Sequence, residues 1–253
     1  MQDNQYREQF EKDGYVLVRK FLSAEDFAEL NDNLDRYIRD VVPTLPDRYA
    51  FYQDKSRPET LKQMQHMGEC DPYFRRYVEH PRWNALAVGL LGEQVRFTEP
   101  QWFNKPPLTM HVTPPHQDNY YFCLRPPHVV TMWLALDRVN EDNGCLRYVP
   151  GSHLRGLRPH NATDVIGFSQ GITDYGPEDE AAEVLIQLEP GDLVCHHGEL
   201  IHRADANHSQ TLSRRAFALV IEGVSCQRDE EAYQAYQASA SGQHAKAGLP
   251  TRS

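Results

Sequence analysis

HVVTMWLALDRVNEDNGCLRYVPG, residues 128–151, decides the architecture. Its first half is rich in β-branched and aromatic residues, the composition of a strand. Asp142-Asn143-Gly144 then demands a turn, a second short β-rich run follows at 145–149, and Pro150-Gly151 turns the chain again. The same rhythm extends outward on both sides. Beside the strands at 128–139 and 145–149, further strands are expected at 95–103, 109–113, 117–124, 184–188, 192–197 and 215–224. Pro106-Pro107, Pro114-Pro115, Pro126-Pro127 and Pro190-Gly191 punctuate them. Many short strands at even spacing point to an antiparallel sandwich or barrel, with a jelly roll among the candidates.

The flanks read differently. Residues 5–12 form a polar helix, Gly14 punctuates, and Tyr15–Phe21 is a strand. Ser23 is placed as an N-cap, with Asp26 three residues on. Phe27, Leu30, Leu34, Tyr37, Ile38 and Val41 follow a helical period over roughly 18 residues, ending before Pro43. Residues 43–72 show no clean period and read as a long loop of the lid or binding type. Residues 73–91 are helical, interrupted by Pro81 and ended by Gly92. The Ala-, Gln- and Ser-rich tail after Gln227 reads as a helix fraying into a disordered end. One domain is expected over 1–253: a helical part and lid loop to about 94, a β core over 95–224, and a C-terminal helix and tail over 225–253.

Composition excludes several classes. Apolar residues make up 40% and charged residues 25%, which suits a folded globule rather than a disordered chain. The net charge of −10, without a Lys/Arg run, argues against a nucleic-acid partner. No apolar stretch is long enough to span a membrane, and the first ten residues are polar, so neither a membrane anchor nor a leader is expected. The five cysteines are odd in number and lack C-x-x-C spacing, which fits a reduced, cytoplasmic setting. Oligomeric state leaves no trace.

The chemistry begins at His116-Gln117-Asp118. On a strand, residues i and i+2 share a face, so one imidazole and one carboxylate project together. A 2-His-1-carboxylate facial triad needs one more histidine and leaves further metal positions open. Gly191–Arg215 supplies three candidates, His196, His197 and His202. The triplet alone is weak, because such triplets arise by chance and strand histidines are often satisfied core residues. Arg214, twelve residues after His202, heads the strand-like run RAFALVIEG. A guanidinium inside a β-rich pocket needs an anionic partner, while Arg215, on the opposite face, suits a surface salt bridge. Tyr120 and Phe122 would share the face of His116 and Asp118, as an apolar pocket, a small cage for a cation, or core. Lys62, Arg125 and His160 could meet an anionic substrate group.

Taken together, these residues resemble the phytanoyl-CoA dioxygenase family of iron(II)- and 2-oxoglutarate-dependent oxygenases. The likeness runs in order through Asn104-Lys105-Pro106-Pro107, His116-Gln117-Asp118, Tyr121-Phe122, Trp133, Asp142-Asn143-Gly144-Cys145 and Pro150-Gly151-Ser152-His153. It continues through Leu157-Arg158-Pro159-His160, Gly171-Ile172-Thr173-Asp174-Tyr175, Gly191-Asp192, His202, Asn207 and Arg214-Arg215-Ala216. The resemblance implies a mostly β fold with N-terminal helices, a double-stranded β-helix (jelly roll, cupin-like). It implies iron held by His116, Asp118 and His202, with 2-oxoglutarate and O2 as cosubstrates. Arg214 would bind the far carboxylate of 2-oxoglutarate, and Trp133, Gln101 and Lys62 would line the same pocket. Tyr120, Phe122 and His160 are the candidate substrate contacts. The reaction implied is hydroxylation of an unactivated C–H bond of a small organic metabolite, giving succinate and CO2.

Two departures stand out. Where the family often has a serine two residues after its distal histidine, this chain has Ala204, and Ser209 or Thr211 could compensate. The spacing from His202 to Arg214 is also one residue longer than the family's commoner one. A net charge of −10 offers no basic entrance for a coenzyme-A thioester, so the family's name does not fix the substrate. The rival classes are a cupin-type metalloenzyme independent of 2-oxoglutarate, which has no use for Arg214, and a non-catalytic jelly roll, which has no use for the triad. A zinc hydrolase is disfavoured because H-E-x-x-H is absent. His196 and His197 stay open as ligands: if the bend falls earlier, His197 faces the metal instead of His202.

Overall fold

The structure, a computed structural model, describes residues 2–162 and 170–246. Two antiparallel sheets enclose a narrow interior. The larger has eight strands. Its main path runs Tyr15–Val18, Leu193–His197, Val129–Ala135, Arg214–Gly223, Gln101–Lys105, Leu61–Met64, Ala50–Tyr52, and Val95–Phe97 pairs the far end of Arg214–Gly223. The smaller runs Val184–Ile186, Leu146–Tyr148, His202–Ala204, Thr113–His116. The chain is thus a jelly roll with helices on the outer face of its large sheet.

Those helices explain why Val129–Ala135 is buried at every position instead of alternating. Its even-numbered side chains Val130, Met132 and Leu134 join Leu193, Cys195, Phe217, Leu219 and Ile221 on the outer face. The helices Ala24–Arg36, Pro72–Tyr77 and Pro81–Leu91 cover that face, with Trp83 edge-on to both Phe21 and Phe217. The odd-numbered Trp133 and Ala135 face inward with Val194, Ala216, Ala218, Leu146 and Tyr148. Alanines at 135, 204, 216 and 218 contribute small side chains to this interior.

Several expectations need correction. Residues 43–72 are not one loop: Ala50–Tyr52 and Leu61–Met64 extend the large sheet, and they are too short to show a period. Strands therefore also arise inside the part read as helical. The 95–103 run is two strands, split before Gln101 by Pro100. Residues 109–112 are irregular, and Pro114-Pro115, read as a turn, lie inside Thr113–His116. That strand is the edge of the small sheet, where a residue without an N–H is tolerated. Residues 117–124 are not a strand: Asn119–Phe122 is a helical turn ended by Cys123 at φ +54°. The side chain of Asn119 overrides strand propensity there, donating to Leu124 O and accepting from Leu124 N. Pro81 opens a helix rather than interrupting one, because an N-terminal position needs no N–H. Ser23 caps as expected, accepting from Asp26 N at 3.0 Å. The tail forms Glu230–Lys246, and its end falls outside the described residues.

Candidate metal centre

His116 closes its strand, and His202 opens the strand beside it, so the two are in register as cross-strand partners. Their rings lie 4.1 Å apart. Each turns the same way for the same reason: His116 Nδ1 bonds Pro114 O at 2.8 Å, and His202 Nδ1 bonds Leu200 O at 2.9 Å. A carbonyl only accepts, so both Nδ1 atoms carry the hydrogen and both Nε2 lone pairs face inward. Burial pushes both imidazoles below their ordinary pKa, which keeps them neutral.

Asp118 completes the group. Oδ1 lies 3.7 Å from His116 Nε2 and 3.6 Å from His202 Nε2. Burial alone would raise its pKa, but His202, His196 and His116 together outweigh burial and hold the carboxyl well below the usual range. One ligand atom from each of the three residues lies within 4.8 Å of the others. Two imidazoles with inward Nε2 lone pairs and a carboxylate are the donor set of an iron(II) facial triad, so these residues fit that metal. Asp118 reaches its place by a route other than strand alternation. It sits at φ −58°, ψ −37° at the head of the Asn119–Phe122 turn.

Glycine makes the crossing between sheets possible. Leu193–His197 belongs to the large sheet and His202–Ala204 to the small one, with Gly198 between. A Cβ on Gly198 would stand 2.4 Å from Val129 Cγ1. Its carbonyl accepts from Asn119 N at 2.7 Å, tying the crossing to the turn that carries Asp118.

Deeper in, Arg214 heads Arg214–Gly223 with its side chain buried, 5% exposed. Its guanidinium lies 5.2 Å from the Trp133 ring. Nε finds no hydrogen-bond partner, and no carboxylate pairs with it among the described residues. Burial lowers its pKa to about 10, which still leaves it charged at neutral pH. Lys105 stands in register with Arg214 and is also buried. Its ammonium donates to Asp205 O at 2.5 Å and Ala204 O at 3.2 Å, and burial, then the charge of Arg214, lower its pKa to about 6. A buried cation with an unused donor fits a dicarboxylate cosubstrate.

Residues 10–216 match the phytanoyl-CoA dioxygenase family. The chain belongs to that family. It is on this ground an iron(II)- and 2-oxoglutarate-dependent dioxygenase. The rice phytanoyl-CoA dioxygenase 1 is 28% identical over 252 residues, covering 86% of this chain and 88% of the relative. The mouse peroxisomal phytanoyl-CoA dioxygenase is 28% identical over 235 residues, covering 87% and 68%. Among solved structures, the epimerase SnoN in complex with Fe3+, alpha ketoglutarate and nogalamycin RO aligns with TM-score 0.70 at 23% identity, over 90% of this chain and 86% of that one. EctD from S. alaskensis with 2-oxoglutarate and 5-hydroxyectoine aligns with TM-score 0.70 at 19% identity, over 87% and 76%. Both likenesses show the shared fold.

In this dioxygenase His197 lies away from the metal group: it faces outward, its ring 6.0 Å from Phe10 and 5.1 Å from His153. His196 points inward but approaches Asp118 Oδ2, at 3.1 Å. Arg215 pairs with Asp137 at 2.7 Å, on the other face from Arg214. Gln101 shares the inward face with Phe103 and Lys105, in register with Ala218. Lys62 is partly buried on the neighbouring strand, where its charge reaches His111. Ser209 Oγ accepts from Leu212 N at 2.9 Å, and Thr211 is exposed. The loop before Arg214 is held by Asn207, whose Nδ2 donates to Lys105 O and Leu212 O, both at 2.8 Å.

The aromatic expectations shift by one residue. Because residues 119–122 coil, Tyr120 and Phe122 do not share a face with the ligands. Tyr120 stacks on His160 at 4.1 Å, and Phe122 packs toward Leu124, Val129 and Val220. Tyr121 lies beside the metal group, its ring 5.8 Å from His116 and its hydroxyl donating to Gln170 O at 2.6 Å. His160 is engaged at both ring nitrogens, donating to Arg158 O at 2.8 Å and accepting from Gln117 N at 3.2 Å. Burial lowers its pKa to about 4. Gln117 itself bonds Gly156 O, Glu199 O and Arg158 N, so it pins the segment that presents Asp118. Thr131 and Tyr148 carry no signal of their own in the sequence; each matters through its register partner, His196 and His202.

Proposed function

We propose that the chain hydroxylates an unactivated C–H bond of a small organic metabolite, using iron(II), 2-oxoglutarate and O2 and releasing succinate and CO2. What supports this reading is the buried Arg214 guanidinium beside Trp133, its Nε without a hydrogen-bond partner, together with the grouped ligand atoms of His116, Asp118 and His202. A metal-only cupin has no use for that cation.

His116 Nε2, Asp118 Oδ1 and His202 Nε2 would hold the iron. Arg214 would take the far carboxylate of 2-oxoglutarate, with Trp133 walling the pocket. Gln101 and Lys62 are proposed as further contacts on the same side. Iron(II) with 2-oxoglutarate and O2 supplies the oxidative decarboxylation that delivers one oxygen atom to the substrate. The protein's own residues fix the donors, pair the carboxylate's charge and exclude water. Tyr121 borders the substrate side of the metal, while His160 acts through Gln117 on the ligand segment. We also place the protein in the cytoplasm, with a small molecule and neither nucleic acid nor membrane as partner. All five cysteines are unpaired, and no described helix is long and apolar enough to cross a membrane.

The supporting test is succinate formation by protein purified without metal and supplied with iron(II), 2-oxoglutarate and O2. Succinate should form only with all three present, and Asp118→Ala should abolish it. Turnover of a substrate without 2-oxoglutarate would overturn the reading in favour of a metal-only cupin.

A further inference from the structure

The two oxygens of Asp118 have different surroundings. Oδ1 faces His116 and His202, whereas Oδ2 accepts from Thr131 Oγ1 at 2.6 Å and lies 3.1 Å from His196 Nε2. A carboxylate only accepts, so His196 donates from Nε2. In the neutral ring Nδ1 is then the acceptor, and the Tyr148 hydroxyl meets it at 2.8 Å. Tyr148, His196 and Thr131 are all buried, at 0%, 2% and 7% exposure. Their placement follows from register. His196 pairs across the large sheet with Thr131, so both reach inward side by side, and Tyr148 pairs across the small sheet with His202.

We propose that Thr131, His196 and Tyr148 are positioning residues that hold Asp118 to a single metal-facing oxygen. This rests on the function proposed above. A carboxylate can give a metal one oxygen or two, and only the first leaves three positions of an octahedral ion open. Binding of both 2-oxoglutarate and O2 would need all three. A two-oxygen Asp118 would still accept metal and 2-oxoglutarate but would leave no place for O2. Two donors on Oδ2 oppose that swing. Tyr148 acts through His196: by occupying Nδ1 it keeps the Nε2 hydrogen aimed at Asp118, and it keeps His196 from turning to become a fourth ligand.

The test uses the full chain with His196→Phe, His196→Gln, Thr131→Val, Tyr148→Phe and the His196→Phe/Tyr148→Phe pair. Iron(II) and 2-oxoglutarate affinities are measured without oxygen, and succinate formation is then followed against O2 concentration. His196→Phe and Thr131→Val should keep both affinities within about threefold while O2-dependent succinate formation falls roughly 10- to 100-fold, the usual cost of losing a group that orients a ligand. His196→Gln, whose amide can donate to Oδ2, should recover most of the loss. Tyr148→Phe should cost less and add nothing in the His196→Phe background. Crystals of His196→Phe with cobalt(II) and 2-oxoglutarate should show both Asp118 oxygens on the metal. Loss of iron affinity on replacing His196 would make it a ligand and overturn the proposal. So would unchanged O2 dependence in every variant, or equal additive losses in the pair. Should His196→Phe fail to fold, His196→Gln and Tyr148→Phe carry the same comparison. Failure of the unaltered protein to bind iron or 2-oxoglutarate would instead refute the underlying function.

Discussion

His116 and His202 are cross-strand partners at the edge of the small sheet, and each gives its Nδ1 hydrogen to the carbonyl two residues before it. The backbone thus fixes the tautomer of both rings before any metal arrives. Replacing either by alanine is expected to weaken iron(II) binding by roughly 100-fold or more, because a two-ligand remnant cannot hold a labile ion. Oxygen-free equilibrium dialysis measures this, and circular dichroism should show the fold retained.

Arg214 and Arg215 should separate cleanly. Arg214→Met removes the buried guanidinium and should raise the KM for 2-oxoglutarate roughly 30-fold or more, the scale of deleting one side of a buried charge pair. Arg215→Met breaks a pair with Asp137 that is about one-third exposed at the arginine, and should cost only about 0.5–1 kcal/mol of stability with KM unchanged. Steady-state succinate assays and urea unfolding distinguish the two.

His197 gives the fold an acid sensitivity. Burial lowers its pKa to about 3, against about 6.5 in an unfolded chain. The unfolded state therefore takes up a proton that the folded state refuses. The stability involved is complete above pH 6.5 and is lost as pH falls toward 3. Between pH 7.5 and 5, wild type should lose about 1–2 kcal/mol from this group, and His197→Gln should lose correspondingly less. Urea midpoints at the two pH values provide the check.

Gly198 couples the fold to the site. An alanine there would press on Val129 inside the large sheet, so Gly198→Ala should destabilise by about 1–3 kcal/mol. It should also weaken iron binding, since Gly198 O holds Asn119 N beside Asp118. Thermal unfolding and iron titration would show both effects together.

Much of this architecture was legible in advance because turn residues mark strand ends irrespective of packing. Pro106-Pro107, Asp142-Asn143-Gly144 and Pro190-Gly191 do bound strands, and the ligand atoms of His116, Asp118 and His202 do lie together. The misreadings have physical causes. Tyr120, Tyr121 and Cys123 look like strand residues but pack against Tyr236 of the C-terminal helix, which permits a helical turn. The strands at 50–52 and 61–64 are held by pairing to neighbours, not by any pattern of their own. His196 and His197 are adjacent, and which one faces inward depends on pairing with Val129–Ala135, where His196 meets Thr131. Thr131, Tyr148 and His196 are far apart along the chain, and only register assembles them around Asp118.

The most direct measurement of the central claim is an oxygen-free titration of the metal-depleted protein with iron(II) and then 2-oxoglutarate, followed by visible absorption. Chelation of iron(II) by a 2-oxo acid produces a charge-transfer band. The band should rise to one equivalent of each, disappear in His202→Ala and Asp118→Ala, and require far more 2-oxoglutarate in Arg214→Met. A protein that binds iron but never develops the band, or one whose band is indifferent to Asp118 and Arg214, would contradict the account.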